Sequence, residues 1–246
     1  EFPPVLITPT ALEVCDDLDA DYYESNDGIN PSIDLTVKDA AIIMGNASWV
    51  VTYHITQANA VSGTQDIPDA TMFANTTPGA QTIWVRVVDA NTGCFSITTL
   101  TIRVTPNPSP SQNPNDIELC DDNNSPDGIE IFDLTVNETF ILNGEGTPAD
   151  PRHVSYYTEL ADALTATTPI ADATMHSNVN PSDTTTGISP QTIYVRVTNG
   201  TDELGLGGTG CFTIVSFDII VNPLPLIPAA DLNLYACELM TDNVYN

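Results

Sequence analysis

The stretch Gln81–Val87, QTIWVRV, returns as Gln191–Val197, QTIYVRV. In the first, Ile83, Val85 and Val87 alternate with Trp84 and Arg86; in the second, Ile193, Val195 and Val197 alternate with Tyr194 and Arg196. A period of two is the pattern of a strand with one buried face. The next segment carries Ile97, Leu100, Ile102 and Val104, matched by Ile214, Phe217, Ile219 and Val221. Its opening step of three predicts a bulge at Thr98-Thr99 and at Val215-Ser216. Further strands are expected at Leu12 to Cys15, Ile33 to Val37, Trp49 to Ile55 and their counterparts, and no window carries a helical period.

Outward from these strands the duplication continues. Asp69 to Met72 (DATM) recurs at Asp172 to Met175, Thr92 to Phe95 (TGCF) at Thr209 to Phe212, and Cys15 aligns with Cys120. Asp27-Gly28 and Asp34 to Val37 recur at Asp127-Gly128 and Asp133 to Val136. A period above 100 residues gives each copy enough chain to bury its own core. The reading is therefore an all-β chain of tandem immunoglobulin-like antiparallel β-sandwiches, with units at 1–108 and 109–227 and the first strand of a third at 228–246. The connections Thr105 to Asn115 and Val221 to Pro228 are proline-rich and read as extended spacers.

Thirty-three acidic side chains stand against five basic ones, for a net charge of -28. Such a surface excludes nucleic acid and anionic membranes as partners. No apolar run approaches the roughly 20 residues that a membrane-spanning helix needs, so no membrane insertion is expected of this segment.

Five cysteines without a C-x-x-C pair point to disulfides and an oxidising, extracellular compartment. Two pairings fit the repeat: Cys15 with Cys94 and Cys120 with Cys211 inside the units, or Cys94 with Cys120 and Cys211 with Cys237 across the boundary. The first is the expectation, with the second its rival. After each first cysteine comes an acidic loop whose spaced oxygens suit calcium. The ligand set read from it is Asp17, Asp19, Asp21 and Asp27 in unit one, and Asp122, Asn124 and Asp127 in unit two.

No histidine recurs between copies: His54 aligns with Tyr157, His176 with Phe73, and His153 lies in extra residues of the second copy. No nucleophile elbow, zinc motif or phosphate loop is present, and no enzymatic role is expected. Arg86 and Arg196 read as strand-face cations paired with a neighbouring aspartate. Trp49, Trp84, Tyr156, Tyr157 and Tyr194 are the aromatics that would serve if the chain were instead a carbohydrate-binding module. A further alternative is a self-assembling fibre in which Asp231 to Tyr235 is a donated strand.

The set C-D-D, D-G, D-L-T, V-S-Y-Y-T with a following A-D-A, Q-T-I-Y-V-R-V-T-N, T-G-C-F and V-N-P-L-P resembles the repeats of very large surface proteins of Bacteroidota. These are exported by type IX secretion, and the SprB-type gliding-motility adhesins are examples. The resemblance implies an extracellular, multi-repeat adhesin or stalk; together with the residues it gives the expectation of a non-catalytic segment, disulfide-stapled and calcium-rigidified, acting in surface attachment or gliding. Its implied partners are a surface polysaccharide or other extracellular ligand and the neighbouring repeats of the same chain. It also makes Asp183-Thr184-Thr185 similar to the O-glycosylation sequence of these bacteria, with Thr184 as the acceptor.

Overall fold

The computed structural model describes residues 2–23, 25–121 and 127–225. The partial third copy, with Cys237 and the strand expected at Asp231 to Tyr235, lies outside them.

Unit one is built on a curled four-stranded sheet. Its strands are β1 (Leu12–Cys15), β2 (Trp49–His54), β3 (Ala80–Asp89) and β4 (Phe95–Thr105), in the order β1-β4-β3-β2. Unit two repeats this with β5 (Ile117–Cys120), β7 (Arg152–Tyr157), β11 (Gln191–Asn199) and β12 (Phe212–Asn222), in the order β5-β12-β11-β7. Between them come β6 (Ile131–Phe132), β8 (His176–Ser177), β9 (Val179–Asn180) and β10 (Asp183–Gly187), short strands that make two two-stranded ladders. The architecture is mostly β and tandem, as the alternation requires. Ile83, Val85 and Val87, and Ile193, Val195 and Val197, are all fully buried. Each such side chain contributes about 1.5–3 kcal/mol on leaving water.

Three local expectations are corrected. The sheet is not wholly antiparallel, because the opening strand pairs in parallel with the last: Leu12 to Cys15 lie beside Ile102 to Thr105, and Ile117 to Cys120 beside Ile219 to Asn222. The run from Ile33 to Val37 is not a strand. Only Ile33 pairs, with Phe73, before the Asp34 carboxylate accepts the Thr36 N–H at 2.9 Å and turns the chain into a 3-10 helix, Leu35–Lys38. A carboxylate that satisfies a backbone donor two residues on competes with the strand ladder. Asp133 repeats the turn through Thr135.

The predicted bulges are also absent. Registers run without interruption from Ala80 opposite Arg103 to Val88 opposite Phe95, and from Gln191 opposite Ile219 to Thr198 opposite Phe212. The step of three arises because Ile97 and Ile214 face the other side of the sheet. Four short helices accompany the sheets, α1 (Asp39–Ile43), α2 (Gln57–Ser62), α3 (Glu138–Leu142) and α4 (Leu160–Thr165); Ile42 of α1 and Ile141 of α3 join the main cores, and α4 covers the opposite face of unit two. Ile214 clusters with Tyr157 and with Ala163 of α4, beside partly buried Leu160, Leu164, Tyr194 and Phe212. Helices of five or six residues are too short to show a period in sequence.

Arg86 and Arg196 occupy this same face, and their partners are not aspartates. Arg196 stacks over Phe212 at 3.4 Å and donates to the Ala163 and Leu164 carbonyls at 3.0 and 3.3 Å. Arg86 stacks over Phe95 at 3.4 Å and donates to the Ala60 and Val61 carbonyls at 2.9 and 3.0 Å. Each arginine caps the carbonyl end of a short helix, where a cation is favoured.

Candidate functional site

The densest arrangement of polar chemistry lies where unit one meets unit two. Cys15, at the end of β1, is bonded to Cys211, in the turn before β12, with Cα atoms 5.4 Å apart. That pairing is neither of the two drawn from sequence. Cys15 bonds across the boundary and not to Cys94, and Cys94 and Cys120 are unbonded. Pairing within a unit would need first and second cysteines to share one end of one sheet. Instead, the bond joins the end of one sheet to the beginning of the next unit's last strand.

Hydrogen bonds extend the seam. The Ile214 N–H donates to the Tyr22 carbonyl at 3.1 Å, and the Tyr23 hydroxyl donates to the Pro110 carbonyl. The Tyr23 ring packs against the core of unit two. Asn107 and Asn26 exchange two bonds: Asn107 N–H to Asn26 Oδ1 at 2.7 Å and Asn26 Nδ2 to the Asn107 carbonyl at 3.0 Å. Asn107 Nδ2 also reaches the Asp16 carbonyl at 3.0 Å. The connection between units is therefore no free spacer. Pro108, Pro110 and Pro114 are buried, and Ser109 and Ser111 donate their N–H groups to Glu145 and to the Ile141 carbonyl.

The acidic loop divides between two places. Asp17 and Asp27, both predicted ligands, lie with Asp16 so that one carboxylate oxygen from each falls within 4.8 Å of the others. Asp16, which sequence reasoning missed, is the buried member; its recurrence as Asp121 after Cys120 was the available signal. Asp19 and Asp21 are not in that group. Asp19 accepts the Asp21 and Tyr23 N–H groups at 2.9 and 3.1 Å, and both aspartates line a cleft of about 280 Å³ at the junction with Tyr22, Gln112 and Tyr194. In unit two, Asp122 and Asn124 lie outside the described residues, while Asp127 accepts the Ile129 N–H at 3.0 Å.

Asp16 is held by two backbone donors, Gly28 N–H at 2.8 Å and Asp17 N–H at 3.0 Å. Gly28 has φ +79, and a Cβ there would meet the Gly79 nitrogen at 2.6 Å, so only glycine fits. Burial, with the Asp27 and Asp17 charges adding to it, raises the Asp16 carboxyl above the ordinary value of 3.8 against the pull of those donors. Asp69 and Asp172 move the other way, because hydrogen bonds from Thr71 and Thr174 favour their charged forms. A raised carboxyl stabilises the fold fully below its unfolded pKa near 3.8, and that stability is lost as pH rises through the higher folded value. Carboxyl carbon shifts followed against pH are expected to place the Asp16 midpoint above 3.8 and those of Asp69 and Asp172 below it. An Asp16 midpoint below both would contradict this account.

The other expected residues fall as follows. Tyr156 and Tyr157 are buried in the two cores of unit two, which removes them as sugar-stacking surfaces, whereas Trp49, Trp84 and Tyr194 are partly exposed. Thr184 is exposed on β10. His54 is buried between Thr52 and the Thr64 carbonyl, and His176 faces Gln191 at 3.1 Å. No helix among the described residues is long and apolar enough to cross a membrane.

Comparison with curated proteins finds no match. Among solved structures, the first two domains of human mucin-like protocadherin align at 12% identity over 72% of this chain and 86% of that one, with a TM-score of 0.26. Four domains of Drosophila N-cadherin align at 13% identity over 72% and 42%, with a TM-score of 0.20. A family model described as the Flavobacterium inter-domain disulphide bond domain matches residues 11–108 and again 116–225, the two stretches that the Cys15–Cys211 bond joins. Twice matched over most of its length, and with a disulfide between the matched stretches, the chain belongs to that family.

Proposed function

We propose that this chain is a non-catalytic, extracellular spacer within a repeat adhesin or surface fibre, in which the disulfide fixes each unit against its neighbour. The Cys15–Cys211 bond carries the reading. A covalent link placed between units contributes little to either core, since both cores close without it; its effect is on how the units are set relative to each other. Persistence of such a bond calls for an oxidising compartment. Type IX export, attachment or gliding, and glycosylation at exposed Thr184 belong to the same proposal through the resemblance of the repeats. Antibody against the chain should label unpermeabilised cells of the organism that makes it. Labelling only after permeabilisation would sink the surface assignment. The cleft with Tyr194, Asp19, Asp21 and Gln112 keeps carbohydrate binding as the second reading; a glycan array probed with the intact chain separates the two.

Calcium fits unit one through Asp16, Asp17 and Asp27. Carboxylates ~4 Å apart repel by about 4 kcal/mol at an effective dielectric of 20, and a hard cation would relieve that crowding. Binding confined to the folded state would stabilise it by about 2.7 kcal/mol at a hundredfold excess over Kd. Millimolar calcium should then raise the melting temperature by several degrees more than sodium chloride of equal ionic strength. The extra increment should vanish in the Asp17→Ala, Asp27→Ala double variant. Equal shifts from the two salts would leave the trio as ordinary solvated turns.

A further inference from the structure

One tyrosine hydroxyl is bonded in unit one and orphaned in unit two. Tyr53 and Tyr156 are counterparts on β2 and β7, and their backbones are held alike: the Ile67 N–H donates to the Tyr53 carbonyl and the Ile170 N–H to the Tyr156 carbonyl, both at 2.8 Å. Each side chain lies in the main core of its unit. The Tyr53 hydroxyl donates to the Asp39 carboxylate and to the Leu35 carbonyl, the latter at 3.0 Å. The Tyr156 hydroxyl is buried without a hydrogen-bond partner, in a residue only 4% exposed. Glu138 stands where unit one has Asp39, and its side chain, longer by one methylene, makes no bond to that hydroxyl. A buried polar group left unpaired is costly, and unit one shows that this fold can pair it.

A cleft of about 280 Å³ adjoins it, lined by Tyr156 and Glu138 together with Thr135, Ile170, His153 and Glu203. His153 and Glu203 come from chain that unit two has in excess of unit one, and His153 Nε2 lies 3.5 Å from a Glu203 carboxylate oxygen. Among the described residues, no lysine or arginine lines the cleft. Burial, with the Glu138 and Asp133 charges adding to it, pushes the Tyr156 pKa up, so the oxygen keeps its proton. The acidic groups are too widely set for a metal ion: among the described residues only Asp16, Asp17 and Asp27 bring three such ligand atoms within 4.8 Å of one another. A larger cation, with donors that point in several directions, suits the spacing.

We infer that this cleft binds the side chain of a lysine on a partner polypeptide. A primary ammonium carries three donors at the end of a slender, flexible stem. One N–H goes to the Tyr156 oxygen and the others to the Glu138 and Glu203 carboxylates. Glu138 turns as the stem enters, which uncovers the hydroxyl, and the Tyr156 O–H then donates to Glu138 as that of Tyr53 does to Asp39. The ammonium of an amino sugar is fixed directly on its ring and lacks this reach. The site adds a binding role to unit two and does not depend on the disulfide between units.

The test uses the intact chain with tyrosine labelled at the ring carbon that bears the hydroxyl, the Tyr156 signal being identified by its loss in Tyr156→Phe. Nα-acetyl-lysine methylamide should shift that signal saturably and leave the Tyr53 signal in place. Its Nε-acetylated form, and sodium chloride of equal ionic strength, should not. Glu138→Gln should weaken the binding about tenfold or more. The orphaned hydroxyl is checked without any ligand: Tyr53→Phe should lower the urea midpoint, whereas Tyr156→Phe should not. An unmoved Tyr156 signal overturns the inference, and so does an equal response to sodium chloride, which would be screening of a charged surface. An equal response to glucosamine would also overturn it, by placing an amino sugar in the cleft. A loss from Tyr156→Phe as large as that from Tyr53→Phe would do the same, because the hydroxyl would then already have a partner.

Discussion

Exchanging Arg196 for methionine is expected to lower the unfolding free energy by about 3–4 kcal/mol. Arg196 is only 5% exposed, and among the described residues its partners are two carbonyls, the Thr198 hydroxyl at 3.1 Å and the Phe212 ring, with no carboxylate. Burial pulls its pKa down, yet a guanidinium stays charged, so the site holds a buried cation neutralised by dipoles alone. Methionine fills the volume and leaves the Ala163 and Leu164 carbonyls without donors. Arg86 is more exposed, and the same exchange there should cost roughly half as much. Urea unfolding measures both. A loss under about 0.5 kcal/mol at Arg196 would mean that the helix end finds water instead.

The paired variant Cys15→Ser, Cys211→Ser should act on a different quantity. A link across 196 residues of sequence is worth about 5 kcal/mol in the chain-entropy treatment, and it touches neither main core. Both four-stranded sheets should survive, with an unchanged far-ultraviolet circular dichroism spectrum. The radius of gyration from small-angle scattering should grow as the units part, and dithiothreitol should do the same to the parent chain. Cys94→Ser with Cys120→Ser is the control, expected to change neither. A scattering profile that ignores reduction would show that Tyr22 and Tyr23 hold the junction unaided.

Much of each unit is legible in the sequence, because burial on one face of a strand writes itself as alternation. Ile83, Val85, Val87 and their copies could hardly be placed otherwise. What escaped depends on relations the alternation does not encode. Ile97 and Ile214 break the alternation because they face the other side of the sheet, and α4, beside which Ile214 is buried, is too short to have a period of its own. The disulfide escaped both pairings because each joins cysteines that follow one another along the repeat, whereas Cys15 and Cys211 are 196 residues apart and meet only once two units are set side by side. One trace of that contact was present: the loop after Cys15 is five residues longer than the one after Cys120, and the extra chain includes Tyr22 and Tyr23, which reach unit two. Asp19 and Asp21, whose alternate spacing suits a ligand set, line the cleft at the junction beside those tyrosines.

The position of the bond also decides where tension would travel if the two ends of the chain were pulled apart. Force entering ahead of Cys15 crosses to Cys211 through a link spanning 5.4 Å between Cα atoms, and it bypasses everything between. Extended, the enclosed 196-residue span would measure roughly 650–700 Å. That slack is withheld while the bond lasts. Hydrogen bonds and buried aliphatic side chains inside the span can then be of ordinary strength, because they set the shape of the segment while its reach is set by covalent chemistry.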